Sequence, residues 1–257
     1  MVKKKKEDSS FKELNKKVSR NYEAITEVFF GKYLAHPFIK LALYLKMTPN
    51  QVTLVSLLST IVGVIFIASG QYIYYIIGSL FFILGYVADC SDGKVARIRN
   101  MRSKLGGWFD SMSDKAKEML MLLGVVIGVY SVTNNPKVLL LGLVGLFNLS
   151  FLNVLTVLAD LQIMRGVPPL FIFKKVKSKL FKAKFFLGTA SHLYFIVLFL
   201  VLNLPVVILW FYAIVFVFIW MYKIYQVVQV AKKEHKYFDR NERTNPDLFD
   251  DSGNNLE

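Results

Sequence analysis

Six long runs of apolar residues occupy most of the chain, near 51–69, 72–90, 107–132, 138–159, 187–203 and 205–230. Most of them reach the roughly 20 residues that a helix needs to cross about 30 Å of hydrocarbon. A segment apolar on every side has no polar face to offer water, and only closed hydrogen-bonded structures survive in lipid. Runs of this kind therefore leave one fold class open. The expectation is an all-α, polytopic integral membrane protein with six transmembrane helices, the membrane domain covering 48–231.

A net charge of +14 in a soluble chain would suggest a nucleic-acid partner, but the basic residues here are placed by topology. Of 32 Lys and Arg, only Lys137 falls in a connection on the opposite side of the membrane. The turns around Gly70-Gln71 and Asn203-Leu204-Pro205 carry none. This positive-inside pattern puts both termini in the cytoplasm. No aromatic-basic motif of a nucleic-acid module accompanies the charge, so no nucleic acid is expected as partner.

Residues 1–47 form a basic N-terminal segment without the compact apolar core of a secretory signal. Between Tyr22 and Met47 apolar and charged residues mix. This reads as one or two amphipathic helices lying on the cytoplasmic leaflet, interrupted at His36-Pro37. A packed helical hairpin is the alternative. The tail, 232–257, is polar and expected to be disordered. Anionic lipid headgroups suit the run Lys174-Lys175-x-Lys177-x-Lys179.

Against this apolar background, residues 89–114 read DCSDGKVARIRNMRSKLGGWFDSMSD. Asp89 and Asp92 lie at i, i+3, and Asp110 and Asp114 at i, i+4, so each pair shares a helix face. Charges at membrane depth persist where they face one another, a cation or water. Two such faces brought together by the basic loop 98–105 hold four carboxylates that repel unless cations lie between them. Oxygen donors suit Mg²⁺ or Mn²⁺ rather than zinc. Cys90, the one cysteine, excludes an intrachain disulfide and reads as packing. His36, His192 and His235 have no ligand spacing, and His192 reads as a core residue before a cavity-lining one.

The spacing Asp89-x2-Asp92-Gly93-x2-Ala96-Arg97-x8-Gly106-x3-Asp110-x3-Asp114 resembles the signature of the CDP-alcohol phosphotransferases (class I CDP-alcohol phosphatidyltransferases) at all eight fixed positions. The resemblance implies a membrane transferase of phospholipid biosynthesis. Such an enzyme moves a phospho-alcohol group from a CDP-alcohol to a hydroxyl acceptor and releases CMP. It further implies two divalent ions held by Asp89, Asp92, Asp110 and Asp114, with Asp114 also the general base. Gly93, Ala96, Arg97 and Gly106 would serve the CDP moiety; close helix packing is the alternative for the glycines. Asn50 and Thr53, in a P-N-x-x-T element that the family commonly has, are candidate nucleotide contacts. Thr48-Pro49 reads simply as a helix start. Gly124 and Gly128 form a GxxxG, which serves either the homodimer usual in the family or internal packing.

The substrates are less legible. A lipid donor, CDP-diacylglycerol or its ether-lipid analogue, fits the membrane setting. A soluble CDP-choline, CDP-ethanolamine or CDP-inositol is the alternative. Phosphorylated acceptors are disfavoured because 153–162 lacks the arginine of the family's acceptor element, although Arg165 or a lysine of 174–184 would substitute. Asn148, Asn153 and Asp160 are polar enough to line an acceptor pocket. A cation transporter would spread its acids along a pathway with an inverted repeat, and none is present. An inactive scaffold would not need four intact aspartates. A prokaryotic cell membrane is expected rather than an organellar one.

Overall fold

The computed structural model describes residues 34–162, 189–225 and 227–229. Among them every regular element is helical. In chain order these are α1 (Ala35–Tyr44), α2 (Pro49–Ala68), α3 (Tyr72–Ile98), α4 (Lys104–Thr133), α5 (Pro136–Gln162), α6 (Thr189–Val201) and α7 (Pro205–Gln229). Five of them, α2 to α5 and α7, are long and apolar enough to cross a membrane. The described part of the fifth expected span, α6, has 13 residues and is too short to do so alone. The polar tail, residues 22–33, Arg165 and the lysines of 174–184 lie outside the described residues.

α1 is a short amphipathic helix. Ala35, Ile39 and Ala42 recur at helical spacing and are buried against Val52 of α2 and Val95 of α3, while Leu41 and Tyr44 are exposed. The break expected at His36-Pro37 falls beside the start of this helix at Ala35, and the residues before 34 lie outside the described ones. Pro37 falls in the first turn, where a missing N–H leaves no helical bond unmade, so the helix runs through it. Its other end is clamped by Arg99, whose guanidinium donates to the Lys46 and Met47 carbonyls at 2.8 Å and to the Leu43 carbonyl at 3.3 Å. Helix C-termini leave such carbonyls unsatisfied, and a fork-shaped donor suits several at once.

α2 starts as its sequence reads. Thr48 Oγ1 accepts from the Gln51 N–H at 3.3 Å, and the Gln51 side chain accepts from the Thr48 N–H at 2.8 Å, a reciprocal capping box with Pro49 at the first helical position. α2 and α3 then cross at close range. A Cβ on Gly63 would lie 2.8 Å from the Gly78 carbonyl oxygen, and one on Gly78 would lie 2.7 Å from that of Gly63. Only glycine at both positions permits this approach.

α3 continues to Ile98 instead of ending near residue 90, so Asp89 and Asp92 sit within the helix with more than a turn beyond them. Nothing in Cys90–Ile98 breaks a helix, and polarity alone does not end one. The reversal is made by 99–103, through Asn100 at φ 55°, and Ser103 caps α4 by accepting from the Gly106 N–H at 2.9 Å. α4 is the innermost span, with half of its apolar window buried, against about a third for α2. Gly124 and Gly128 face α2: a Cβ on Gly128 would overlap the Ile67 carbonyl oxygen. The GxxxG is an internal contact.

The main core joins Ile67, Phe82, Leu122 and Val125 to Leu149, Ile196 and Phe216. α7 contains a single π turn, Phe211–Val215. Asn148 of α5 donates to the Tyr212 and Ala213 carbonyls at 3.2 and 2.9 Å, satisfying groups that the wider turn releases from the helical ladder. His192 Nδ1 lies 2.8 Å from the Tyr212 hydroxyl, and its ring packs on Tyr212 and Phe216. It is a core histidine.

Candidate active site

Three helices each turn one face toward a common point. α2 brings Asn50, Thr53 and Ser56, spaced by three. α3 brings Asp89 and Asp92, and α4 brings Gly106, Asp110, Asp114 and Lys117, spaced by four, four and three. One carboxylate oxygen from each of Asp89, Asp92 and Asp110 lies within 4.8 Å of the others. Three hard oxygen donors at that separation, drawn from two helices, fit Mg²⁺ or Mn²⁺ and offer nothing to a soft metal.

The trio is held by neighbours. Asp92 is 6% exposed and accepts from the Thr53 hydroxyl at 2.5 Å. Thr53, itself buried, is therefore directed at the carboxylate. Asp114 is not in the trio. Its Oδ1 lies 2.9 Å from Lys117 Nζ, which also pairs with Asp89 and lies 3.1 Å from Ser56 Oγ. Behind Asp89 and Lys117 a cavity of about 20 Å³ is walled by Thr60, Phe82, Tyr86, Met121 and Leu193.

The small residues divide. Gly93 is exposed, and a Cβ there would meet nothing nearer than Arg97 Nη2 at 3.9 Å. Close helix packing does not account for it. At Gly106 a Cβ would lie 3.1 Å from Ser103 Oγ and 3.3 Å from Asn50 Oδ1, which places exposed Asn50 beside the start of α4. Ala96 and Arg97 are partly buried on the last turn of α3. Leu105, Trp108 and Met112 of α4 are exposed, on the helix face turned away from Asp110 and Asp114.

Lys117, Ser56 and Glu118 are the residues that the motif reading misses. Lys117 counts there as a cytoplasmic cation, yet its side chain is 5% exposed. Its spacing from Asp114 and Asp110 was the available signal, since a lysine on a carboxylate face inside an apolar helix needs a partner. Glu118 is buried beside Lys115 at 3.3 Å and accepts from Asn153 at 3.2 Å. Asn153 thus faces α4, whereas Asn148 is occupied by the π turn. The Asp160 side chain lies outside the described residues.

A profile of the CDP-alcohol phosphatidyltransferase family matches residues 46–224, well over half the chain. The chain belongs to that family. The match opens just before the Thr48 capping box, ends within α7 and includes the whole carboxylate hairpin, leaving α1 outside. Among proteins similar to this one is the archaetidylinositol phosphate synthase of Pyrococcus horikoshii, 31% identical over 88 residues, 33% of this chain and 43% of that protein. An uncharacterised protein of Aquifex aeolicus is 28% identical over 147 residues, 54% of this chain and 65% of its own length. The matched segments thus cover less than two thirds of either relative. As members of a CDP-alcohol phosphatidyltransferase family do, the chain carries apolar spanning helices and an aspartate cluster suited to a divalent metal.

Proposed function

We propose that this protein transfers a phospho-alcohol group of the phosphatidyl type from a CDP-activated lipid to a hydroxyl acceptor, releasing CMP. The observation that carries the reading is the convergence of Asp89, Asp92 and Asp110 within 4.8 Å, with Asp114 one turn beyond Asp110 on α4. Asp89, Asp92 and Asp110 would hold Mg²⁺ or Mn²⁺. When bound, the metal supplies Lewis-acid stabilisation of charge on the diphosphate.

The chain's own residues do the positioning on which phosphoryl transfer depends. Thr53 holds Asp92 in place, and Asn50 reaches the nucleotide beside Gly106. Gly93 and Ala96 leave room for the cytidine, and Arg97 serves the phosphates. Asp114, a quarter exposed, accepts the proton of the acceptor hydroxyl. The acceptor oxygen then bonds to the phosphorus on the alcohol side of the diphosphate. The bond from that phosphorus to the bridging oxygen breaks, and CMP carries that oxygen away.

Two observations favour a lipid donor over a soluble one. The carboxylates stand on helices long and apolar enough to cross a membrane, so a lipid-borne donor would be at hand beside them. The Pyrococcus relative bears the name of a synthase of archaetidylinositol phosphate. The site would open to the cytoplasm, on the side of both termini, in a prokaryotic cell membrane. A homodimer would have to use a surface other than Gly124 and Gly128.

The test is CMP release by the purified full chain with Mn²⁺. CDP-diacylglycerol, CDP-archaeol, CDP-choline, CDP-ethanolamine and CDP-inositol are each offered with inositol, inositol phosphate, glycerol phosphate, serine or diacylglycerol. CMP from a lipid donor, lost in Asp114→Asn, supports the reading. Turnover of soluble donors alone moves it to the alternative, and silence with folded, metal-binding protein sinks it.

A further inference from the structure

Lys117 belongs to the charge of the aspartate cluster and not to the surface. An ammonium has three N–H donors. Lys117 Nζ has three oxygen partners: Asp89, Asp114 Oδ1 at 2.9 Å and Ser56 Oγ at 3.1 Å. They come from α3, α4 and α2, so the nitrogen is fixed by three helices and not by a flexible stem. The side chain is 5% exposed, and the cavity behind it is small and walled by Thr60, Phe82, Tyr86, Met121 and Leu193. A cation entering between Asp89 and Asp114 would have to expel the ammonium. Beyond Asp89, the polar groups of that cavity are the neutral Thr60 and Tyr86 hydroxyls, which offer no counter-charge, and a buried charge stripped of its ionic partners is strongly destabilising.

The geometry points to a division of labour among the four aspartates: Asp89, Asp92 and Asp110 take one divalent ion, while Lys117 holds Asp89 and Asp114 in place of a second. This inference rests on the metal-binding reading above and replaces the two-ion expectation that came with the signature. Lys117 is a positioning residue here. It fixes where Asp114 stands relative to the acceptor, and touches neither donor nor acceptor itself. Ser56 completes its partners, which gives a buried serine on α2 a role that capping or helix packing does not.

The experiment counts Mn²⁺ ions bound per chain, by loss of the free-ion paramagnetic resonance signal, in full-length protein purified in detergent. Wild type is expected to bind one ion, Lys117→Arg one, and Lys117→Met two, because removing the charge opens the space between Asp89 and Asp114. Asp92→Asn should lose the single ion. Two ions in wild type, or one in Lys117→Met that elutes and melts as folded protein, overturns the inference. If Lys117→Met does not fold, the wild-type count decides alone. No ion at all in wild type would instead defeat the metal-binding reading on which the inference stands, so the two failures are distinct.

Discussion

The α2–α3–α4 side of the bundle and the α5–α6–α7 side both bury polar side chains, but they do so in different ways. On the first side the groups are charged, buried or partly buried, come from α3 and α4 and face each other: Asp89, Asp92, Asp110, Asp114 and Lys117. On the second they are neutral and satisfied locally. Asn148 closes the carbonyls of the π turn, and His192 meets the Tyr212 hydroxyl. Buried polarity alone therefore does not mark a site. What separates the halves is convergent charge that a bound cation and an anionic substrate would complete.

Breaking the first half should cost activity more than stability. Asp92→Asn or Asp110→Asn is expected to lower Mn²⁺-dependent CMP release by about 10³-fold, since the metal accounts for several kcal/mol of charge stabilisation. Asp114→Asn should lower kcat by roughly 10²–10⁴-fold while leaving Mn²⁺ binding intact, the signature of a lost base and not of a lost ligand. Gly93→Leu sharpens the comparison. Its side chain would enter open space, so the melting temperature should hold while KM for the CDP-alcohol rises about 10–100-fold.

The second half should answer in the opposite currency. Asn148→Leu strands the Tyr212 and Ala213 carbonyls and should cost about 1–2 kcal/mol of stability, read by thermal melting, with CMP release per folded molecule unchanged. The smallest effect belongs to Thr48→Ala, which removes one arm of the capping box and should cost about 1 kcal/mol.

The fold class and the carboxylate hairpin were legible because both are contrasts of composition. Apolar runs stand out from loops, and aspartates stand out from apolar runs. The capping box was legible at Thr48-Pro49 because its chemistry is local. Boundaries set by backbone continuity were not: α3 runs on to Ile98 through polar residues that do not break helices. Lys117 escaped notice for a related reason. Its charge resembled that of its neighbour Lys115, which is far more exposed, and only the approach of α2 and α3 distinguishes the two. Gly124 and Gly128 could have served an internal or an external partner equally well until the position of Ile67 was known.

The most direct test is diffraction at the manganese absorption edge from crystals of the full chain grown with Mn²⁺ and CDP. The account predicts an anomalous peak between Asp89, Asp92 and Asp110, with the cytidine diphosphate lying against Gly93. A cluster without a peak, or a manganese peak beside Glu118 and Asn153 instead, would contradict it.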